Sequence, residues 1–427
     1  MQTGSAGNTD RDDGAGRRPG PRRGPSRAVL VAGLLAVLVV VAGCGGSSSS
    51  ATPTASGGGS TPTATATVTP SPTGTPTATA TEGGPSLSEL PVDPRRTFQR
   101  TADLLSVSAQ MPEFEVVDER APAGPGLPGY VRLLAARPGG ASDAARIATY
   151  RAGTVTVHAP AAERASSAAI ERALVRADVR AIQDDLGWLG PAQSARADLT
   201  GEAYRQGMAE FVLGAYERAH MDEVTTDALQ QRYASAQTGV RYRLAPRVAG
   251  LAYYERRVDD PANVTRVVVD PPATSEQLLH DTDEGQADLT VRTNFDTEQW
   301  RVENHGPRGE LATRLVLRDQ LSRDRAERAA AGWAADRLIT ADNPAHNASG
   351  YVWVHRWDNE SQADEFEAAA RAFLQARRSA GGDASFEYVR ASNEVTAIVA
   401  GEGGFVDVVT VQGAGNSAVD LNIGGIV

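Results

Sequence analysis

Residues 45–85 set the first limit on the fold, because they consist almost entirely of Ser, Thr, Pro, Ala and Gly. The segment carries one charged side chain, Glu82, and no apolar side chain larger than Val68. A chain of this composition buries too little apolar surface to offset the conformational entropy lost on folding. We therefore predict a disordered stalk over residues 44–87, whose Ser/Thr-Pro pairs suit O-glycosylation.

The segment before the stalk has the three parts of an export signal. Six arginines lie between residues 11 and 27, an apolar run begins at Ala28, and the run ends in the small residues Ala42 and Gly43. The run is shorter than the roughly 20 residues that cross a bilayer as a helix. We predict a cleaved signal peptide over residues 1–43, and both the general secretory and the twin-arginine route remain open.

Cys44 is the single cysteine of the chain, and it follows Val41-Ala42-Gly43 directly. This arrangement resembles the lipobox of prokaryotic lipoproteins, in which lipid alkylates the cysteine sulfur and the cysteine becomes the first residue. The resemblance implies lipid attachment at Cys44 and a protein anchored on the outer face of the cell membrane. A buried or free thiol is the alternative.

The charge of the chain argues against nucleic acid as a partner. All 42 basic residues are arginine, and 53 acidic residues give a net charge of −11. Removing residues 1–43 takes away six arginines and three aspartates, which leaves 36 basic and 50 acidic residues. Binding to phosphate backbones needs a basic surface instead.

An acidic, lysine-free exported chain with a Thr/Pro stalk resembles the cell-surface proteins of halophilic archaea. Acidic surfaces keep proteins soluble when salt screens their charges. A GC-rich genome would give the same lack of lysine.

The remaining residues can bury a core, because the chain is 41% hydrophobic despite its stalk. We predict an α+β fold in which an α-rich half, residues 88–300, precedes an α+β half with antiparallel strands, residues 301–427. The apolar periodicity predicts helices over 163–189, 200–220, 225–237, 308–331 and 361–378, and strands over 153–158, 288–293, 350–357, 385–391, 394–400 and 404–412.

The segment from Val175 to Asp185 reads V-R-A-D-V-R-A-I-Q-D-D. It resembles the active-site helix of gluzincin-type metallopeptidases, V-H-E-x-x-H-A-L-Q-D-Q, in which two histidines bind zinc and the glutamate polarises water. In this alignment, Arg176 and Arg180 occupy the positions of the two histidines, and Ala177 occupies the position of the glutamate. The family's third ligand, the glutamate of E-G-x-A, corresponds to Gln206 in Gln206-Gly207-Met208-Ala209.

Three later blocks extend the same resemblance. Thr274 to His280 resembles S-T-E-Q-x-L-H, and Ala331 to Arg337 resembles A-x-G-W-G-G-D-R. The third comprises Tyr351-Val352-Trp353, Trp357-Asp358 and Ala363-Asp364-Glu365-Phe366. Together they resemble best a haloarchaeal surface lipoprotein family of unknown function with a degenerate metallopeptidase-like domain. The resemblance implies a zincin-like α-rich half.

The four degenerate zinc-site positions predict a protein without catalytic activity. Arginine stays protonated and offers no lone pair, so Arg176 and Arg180 would repel a divalent cation. We therefore expect no catalytic residue, no bound metal and no cofactor, and a binding or structural role at the cell surface.

Two alternatives remain: an active metal-dependent hydrolase with non-standard ligands, or an anion-binding module. In the second, Arg176 and Arg180 hold a carboxylate or phosphate of a small or peptide ligand. The simplest interpretation of Arg172, Arg176 and Arg180, spaced four residues apart, is a solvated helix flank with salt bridges.

Other candidate sites are weaker. No two of the six histidines have the four-residue spacing of a helical metal pair. His280, Asp281, Asp283 and Glu284 lack the glycine and bidentate glutamate of an EF-hand, so an acidic turn is favoured over a calcium loop. We interpret Trp333, Trp353 and Trp357 as core aromatics. The sequons at Asn263, Asn347 and Asn359 predict a surface compatible with N-glycosylation.

Overall fold

A computed structural model describes residues 86–135, 146–190, 198–296 and 298–426, and these residues belong to one compact unit. The predicted signal peptide, Cys44 and the stalk up to residue 85 lie outside the described residues. The unit has the α+β class predicted from the sequence, with helices concentrated in its first half and antiparallel pairing in its second.

The helices, numbered in chain order, are α1 Pro94–Leu105, α2 Gly129–Leu134, α3 Ala159–Ala162, α4 Ser167–Asp185, α5 Leu199–His220, α6 Thr226–Ser235, α7 Thr238–Arg257, α8 Thr265–Val268, α9 Ser275–Leu279, α10 Gly309–Leu317, α11 Arg323–Ala330 and α12 Glu360–Ser379. The strands are β1 Glu113–Val117, β2 Ala148–Arg151, β3 Thr154–His158, β4 Thr290–Phe295, β5 Arg301–Asn304, β6 Trp333–Asn343, β7 Ala348–Trp357, β8 Ser385–Arg390, β9 Val395–Glu402, β10 Val409–Gly413 and β11 Ala418–Ile423.

Helix α4 begins where the side chain of Ser166 accepts a hydrogen bond from the Ala169 amide, a common N-cap arrangement. Its apolar residues Val175, Val179 and Ile182 are fully buried, as expected for the core-facing side of an amphipathic helix. The helix spans Ser167–Asp185, so it is shorter at both ends than the predicted helix over 163–189.

Helices α5 and α7 approach each other so closely that only glycine fits at the crossing. A Cβ atom added to Gly207 would lie 2.3 Å from the Cα of Gly250, and one added to Gly250 would lie 1.9 Å from the carbonyl oxygen of Ala203. This contact brings the polar faces of α5 and α7 together one turn further along. It thereby positions the ion pairs described below.

Three sheets complete the unit. Strands β1, β3 and β2 form a small mixed sheet beside α4, and β10, β11 and β4 form another. The largest sheet has the order β5-β6-β7-β9-β8, with every neighbouring pair antiparallel.

Asp336 explains the tryptophan-rich blocks of the sequence. Its fully buried carboxylate accepts hydrogen bonds from the indole nitrogens of Trp333 and Trp353, at 3.1 and 2.6 Å. It also accepts hydrogen bonds from the backbone amides of Arg308 and Gly309, at 2.8 and 2.9 Å, and so fixes the start of α10 to strand β6. All three tryptophans, including Trp357, are core aromatics, as predicted.

Most predicted elements are confirmed, but two are wrong in detail. The single helix expected over 308–331 is two helices, because the side chain of Ser322 caps a new helix at the amide of Arg325. The strand expected over 404–412 begins as a 3₁₀ turn at Phe405–Val408, and only Val409–Gly413 forms β10.

One hydrophobic cluster crosses residue 300, and a second consists almost entirely of residues after it. One cluster of buried side chains contains Phe211 and Tyr254 from the helical half together with Trp353 and Phe366 from the second half. Arg377 of α12 adds polar contacts by donating to the backbone oxygen of Leu134 at 2.9 Å. The two halves defined by sequence therefore share a core.

Candidate functional site

The arginine flank of α4 pairs with acids on the neighbouring helix α5. The Nε of Arg172 lies 2.6 Å from Oε1 of Glu217, which is 1% exposed. One turn further along α4, Arg176 contacts Glu210 through two hydrogen bonds, Nε to Oε1 at 2.7 Å and Nη2 to Oε2 at 3.1 Å. The flank is thus partly buried between helices, whereas we had predicted a solvated one.

Glu210 is the centre of a three-helix ion-pair network. Besides Arg176 of α4, it accepts a hydrogen bond from Nε of Arg247 on α7, at 2.7 Å. Only 5% of Glu210 is exposed. Burial alone would raise its pKa, but the charges and hydrogen bonds of Arg176 and Arg247 outweigh burial and lower the pKa to about 2. The carboxylate therefore stays ionised and joins α4, α5 and α7.

The other degenerate zinc-site positions lie around the same helix interface. Ala177 is packed in the core, and Gln206 donates its side-chain amide to Glu202 on its own helix. Arg180 forms no hydrogen bond or ion pair with any described residue. Burial lowers its pKa, and the neighbouring charge of Arg205 lowers it further. The charges of Glu202 and Glu210 act on Arg180 in the opposite direction and raise its pKa.

This arrangement does not provide the ligands of a zinc site. The side chains of Arg176 and Arg180 can only donate hydrogen bonds, and Ala177 has no ligand atom. The side-chain amide of Gln206 already donates a hydrogen bond to Glu202. Glu210, one turn beyond Gln206, is the nearest carboxylate to Arg176, but both of its oxygens accept arginine donors. The sequence resemblance did not reveal Glu210 or Arg247, although an acid within the apolar stretch Met208 to Leu213 was the available signal.

A second polar site lies between α9 and the end of β7. Carboxylate oxygens of Glu276, Glu284 and Asp358 all lie within 4.8 Å of one another. Glu276 is 8% exposed, whereas Glu284 and Asp358 are exposed. Burial and then the charges of Asp358, Glu310 and Glu284 raise the pKa of Glu276 to about 7. Burial and the acids Glu284 and Glu310 likewise raise the pKa of Asp358.

His280 does not join this acidic cluster as the sequence analysis had considered. Its Nε2 lies 3.1 Å from Oε1 of the fully buried Glu310, which also accepts Nε of Arg314 at 2.9 Å. Asp281 forms an ion pair with Arg257 at 3.1 Å. Of the four residues grouped by sequence, only Glu284 belongs to the cluster, and its partners Glu276 and Asp358 come from other segments.

The three sequons differ in exposure. Asn347 is exposed in the turn between β6 and β7, where it has a φ of 47°. Asn359 is exposed, and its side chain caps α12 by accepting the Gln362 amide at 3.1 Å. Asn263 is half-buried in a 3₁₀ turn. Asn347 is therefore the sequon most open to modification.

Comparison with known proteins found a match for one part of the chain. A family model described as a domain of unknown function, DUF8575, matches residues 283–422. These residues span β4 to β11 and include Glu284 and Asp358, but they make up less than half of the chain. No curated protein and no solved structure matches the chain. Within the described residues, no helix is long and apolar enough to cross a membrane.

Proposed function

We propose that this chain is a non-catalytic surface lipoprotein whose metallopeptidase-like helices serve a binding or structural role. The single observation that supports this is the pairing of Glu210 with Arg176 and Arg247. A zinc peptidase needs three protein ligands and an open position for water. Here the equivalent region is filled by an ion-pair network that holds three helices together.

The proposed location follows from the sequence outside the described residues. Lipid on Cys44 anchors the chain to the membrane, and the Ser/Thr/Pro stalk carries the folded unit away from it. Changing Cys44→Ser should release the protein into the medium, which immunoblotting of cell and medium fractions would measure. Retention of the Cys44→Ser variant in the membrane would contradict the anchor.

Elemental analysis and peptidase assays test the absence of catalysis. The purified full-length chain should contain substoichiometric zinc and should not cleave casein or peptide libraries in molar salt, with or without chelator. One zinc per chain together with chelator-sensitive cleavage would establish the metal-dependent hydrolase instead. If zinc is found, Glu276→Gln separates the two sites, because it removes zinc held by the acidic cluster and leaves zinc held near α4.

Anion binding is the second candidate, because Arg180 has no partner among the described residues and lies near Arg205. Two guanidinium groups of this kind suit a carboxylate or phosphate. Arg180→Glu should abolish binding of phosphate or of peptides with a free carboxylate in calorimetry, whereas the exposed control Arg301→Glu should not. Equal binding by wild type and Arg180→Glu would exclude this site. Since Arg176 already pairs with Glu210, we assign the ligand contact to Arg180 rather than to both arginines.

A further inference from the structure

Three chain segments that are far apart in sequence bring their carboxylates to one point. Glu276 lies on α9, Glu284 in the connection between α9 and β4, and Asp358 directly after β7. Their oxygens lie within 4.8 Å of one another. Like charges at this distance repel, so the folded chain would be stabilised either by protonation of one carboxylate or by a bound cation.

Glu276 gives an independent indication that something is bound. Only 8% of the residue is exposed, and its carboxylate accepts no hydrogen bond from any described residue. The oxygens face the other two acids. A buried carboxylate without a donor is costly. Asp336, by comparison, is buried with four donors.

The basic side chains around the cluster are already engaged. His280 and Arg314 contact Glu310. Arg356 pairs with Glu394 at 3.6 Å and donates to the backbone oxygen of Asp288. Among the described residues, therefore, no basic side chain forms an ion pair with the three carboxylates, in contrast to Glu210.

We propose that Glu276, Glu284 and Asp358 bind one calcium ion. Calcium takes oxygen ligands at about 2.3–2.6 Å, so oxygens on opposite sides of one ion are about 4.6–5.2 Å apart. The spacing of the three carboxylates fits within that limit. Glu284 and Asp358 are exposed, which leaves room for water as the remaining ligands. An all-oxygen set favours calcium over zinc, which prefers nitrogen and sulfur.

The bound ion would join parts of the unit that the backbone alone does not. Glu284 belongs to the connection 280–289, which the ion ties to α9, and Asp358 precedes the N-cap of α12. Calcium would therefore stabilise the region where the helical half meets the five-stranded sheet. This role is structural and is independent of whether the α4 region is catalytic.

Calcium titration of the chelator-treated full-length chain tests the proposal. Calorimetry should show one calcium per chain, and calcium should raise the melting temperature more than a sodium chloride increment of equal ionic strength. Glu276→Gln and Asp358→Asn should each weaken calcium binding at least about tenfold. The matched control Asp283→Asn, which removes a charge from the same acidic turn but outside the cluster, should bind as wild type does.

Each contrary result has a definite meaning. No calcium binding by wild type, or equal loss in Asp283→Asn and Glu276→Gln, would overturn the site, because nonspecific surface charge would then explain the effect. Tighter binding of zinc or magnesium than of calcium would overturn the choice of ion. Circular dichroism checks the folding of Glu276→Gln, and Glu284→Gln at an exposed position gives the same test if that variant does not fold.

Discussion

Glu210 and Glu276 are buried to nearly the same extent, with 5% and 8% of the residue exposed, yet their pKa values move in opposite directions. Burial raises the pKa of both carboxyl groups. At Glu210, Arg176 and Arg247 outweigh burial and lower the pKa to about 2. At Glu276, neighbouring acids add to the effect of burial and raise the pKa to about 7. The difference shows that burial alone does not decide the state of a carboxylate. At Glu210 the chain supplies the balancing charge, and at Glu276 it supplies more negative charge.

Removing both arginines should make Glu210 resemble an uncompensated acid and should have the largest effect on stability. In the double variant Arg176→Met with Arg247→Met, the carboxylate of Glu210 still has the desolvation cost of burial but has lost both ion pairs. We therefore expect a loss of about 3–5 kcal/mol in the free energy of unfolding. Denaturant titration measures it. Adding Glu210→Gln to the double variant should recover part of the loss. A double variant that loses less than about 1 kcal/mol would show that the network is not stabilising.

Lowering the pH should weaken the same ion-pair network without replacing any side chain, so the free energy of unfolding should depend on pH. The pKa of Glu210 is near 4.5 when unfolded and about 2 when folded, so its contribution is complete above pH 4.5. It is lost as the pH falls from 4.5 through 2, and amounts to about 3 kcal/mol by linkage. Unfolding followed against pH should show this slope in wild type and in the exposed control Glu387→Gln, but not in Glu210→Gln. An unchanged slope in Glu210→Gln would assign the effect to other acids.

Apolar periodicity was enough to predict α4, and the long apolar content of α5 was enough to predict a helix, although α5 is buried on all sides from Gly207 to Gly214. It could not predict β6, whose residues Trp333 to Asn343 are buried on both faces and show no alternation. Nor could it find the break between α10 and α11, because most residues between 318 and 331 favour helix and the cap at Ser322 decides the boundary.

The two polar sites were harder to predict than the helices, because their members are far apart in sequence. Arg176 indicated a degenerate zinc helix, but its partner Glu210 depends on the packing of α4 against α5, and Arg247 depends on the glycine crossing of α5 and α7. In the same way, Glu276 and Asp358 meet only because α9 packs near the end of β7. Local spacing contains no information on such contacts.

Asp178 provides a third environment that sharpens the comparison, because it is buried with neither donors nor neighbouring acids. It is fully buried on α4, and neither oxygen accepts a hydrogen bond from a described residue. Burial raises its pKa well above the usual value. The unfolded chain therefore ionises Asp178 above about pH 4 while the folded chain keeps the proton, so its contribution to stability falls as the pH rises.

Replacing Asp178 should accordingly stabilise the protein at neutral pH. We expect Asp178→Leu to add about 1–3 kcal/mol to the free energy of unfolding at pH 7. The gain should shrink as the pH falls below about 4, because both states then hold the proton. Asp178→Asn is the matched control, because it keeps the shape and a polar burial cost but removes the titration. Equal destabilisation by Asp178→Leu at both pH values would mean that the carboxyl makes a favourable contact.

The smallest expected effect is that of Glu276→Gln on stability. It distinguishes Glu276 from Glu210 most directly, because its sign should depend on whether calcium is present. In chelator at pH 8, Glu276→Gln removes repulsion with Glu284 and Asp358, so the variant should be more stable than wild type by about 1 kcal/mol or less. In saturating calcium the order should reverse, since wild type gains the binding free energy and the variant does not. Melting curves of both proteins under both conditions measure the crossing. Glu210→Gln should destabilise in both conditions, because Glu210 is balanced by arginine rather than by an ion from solution.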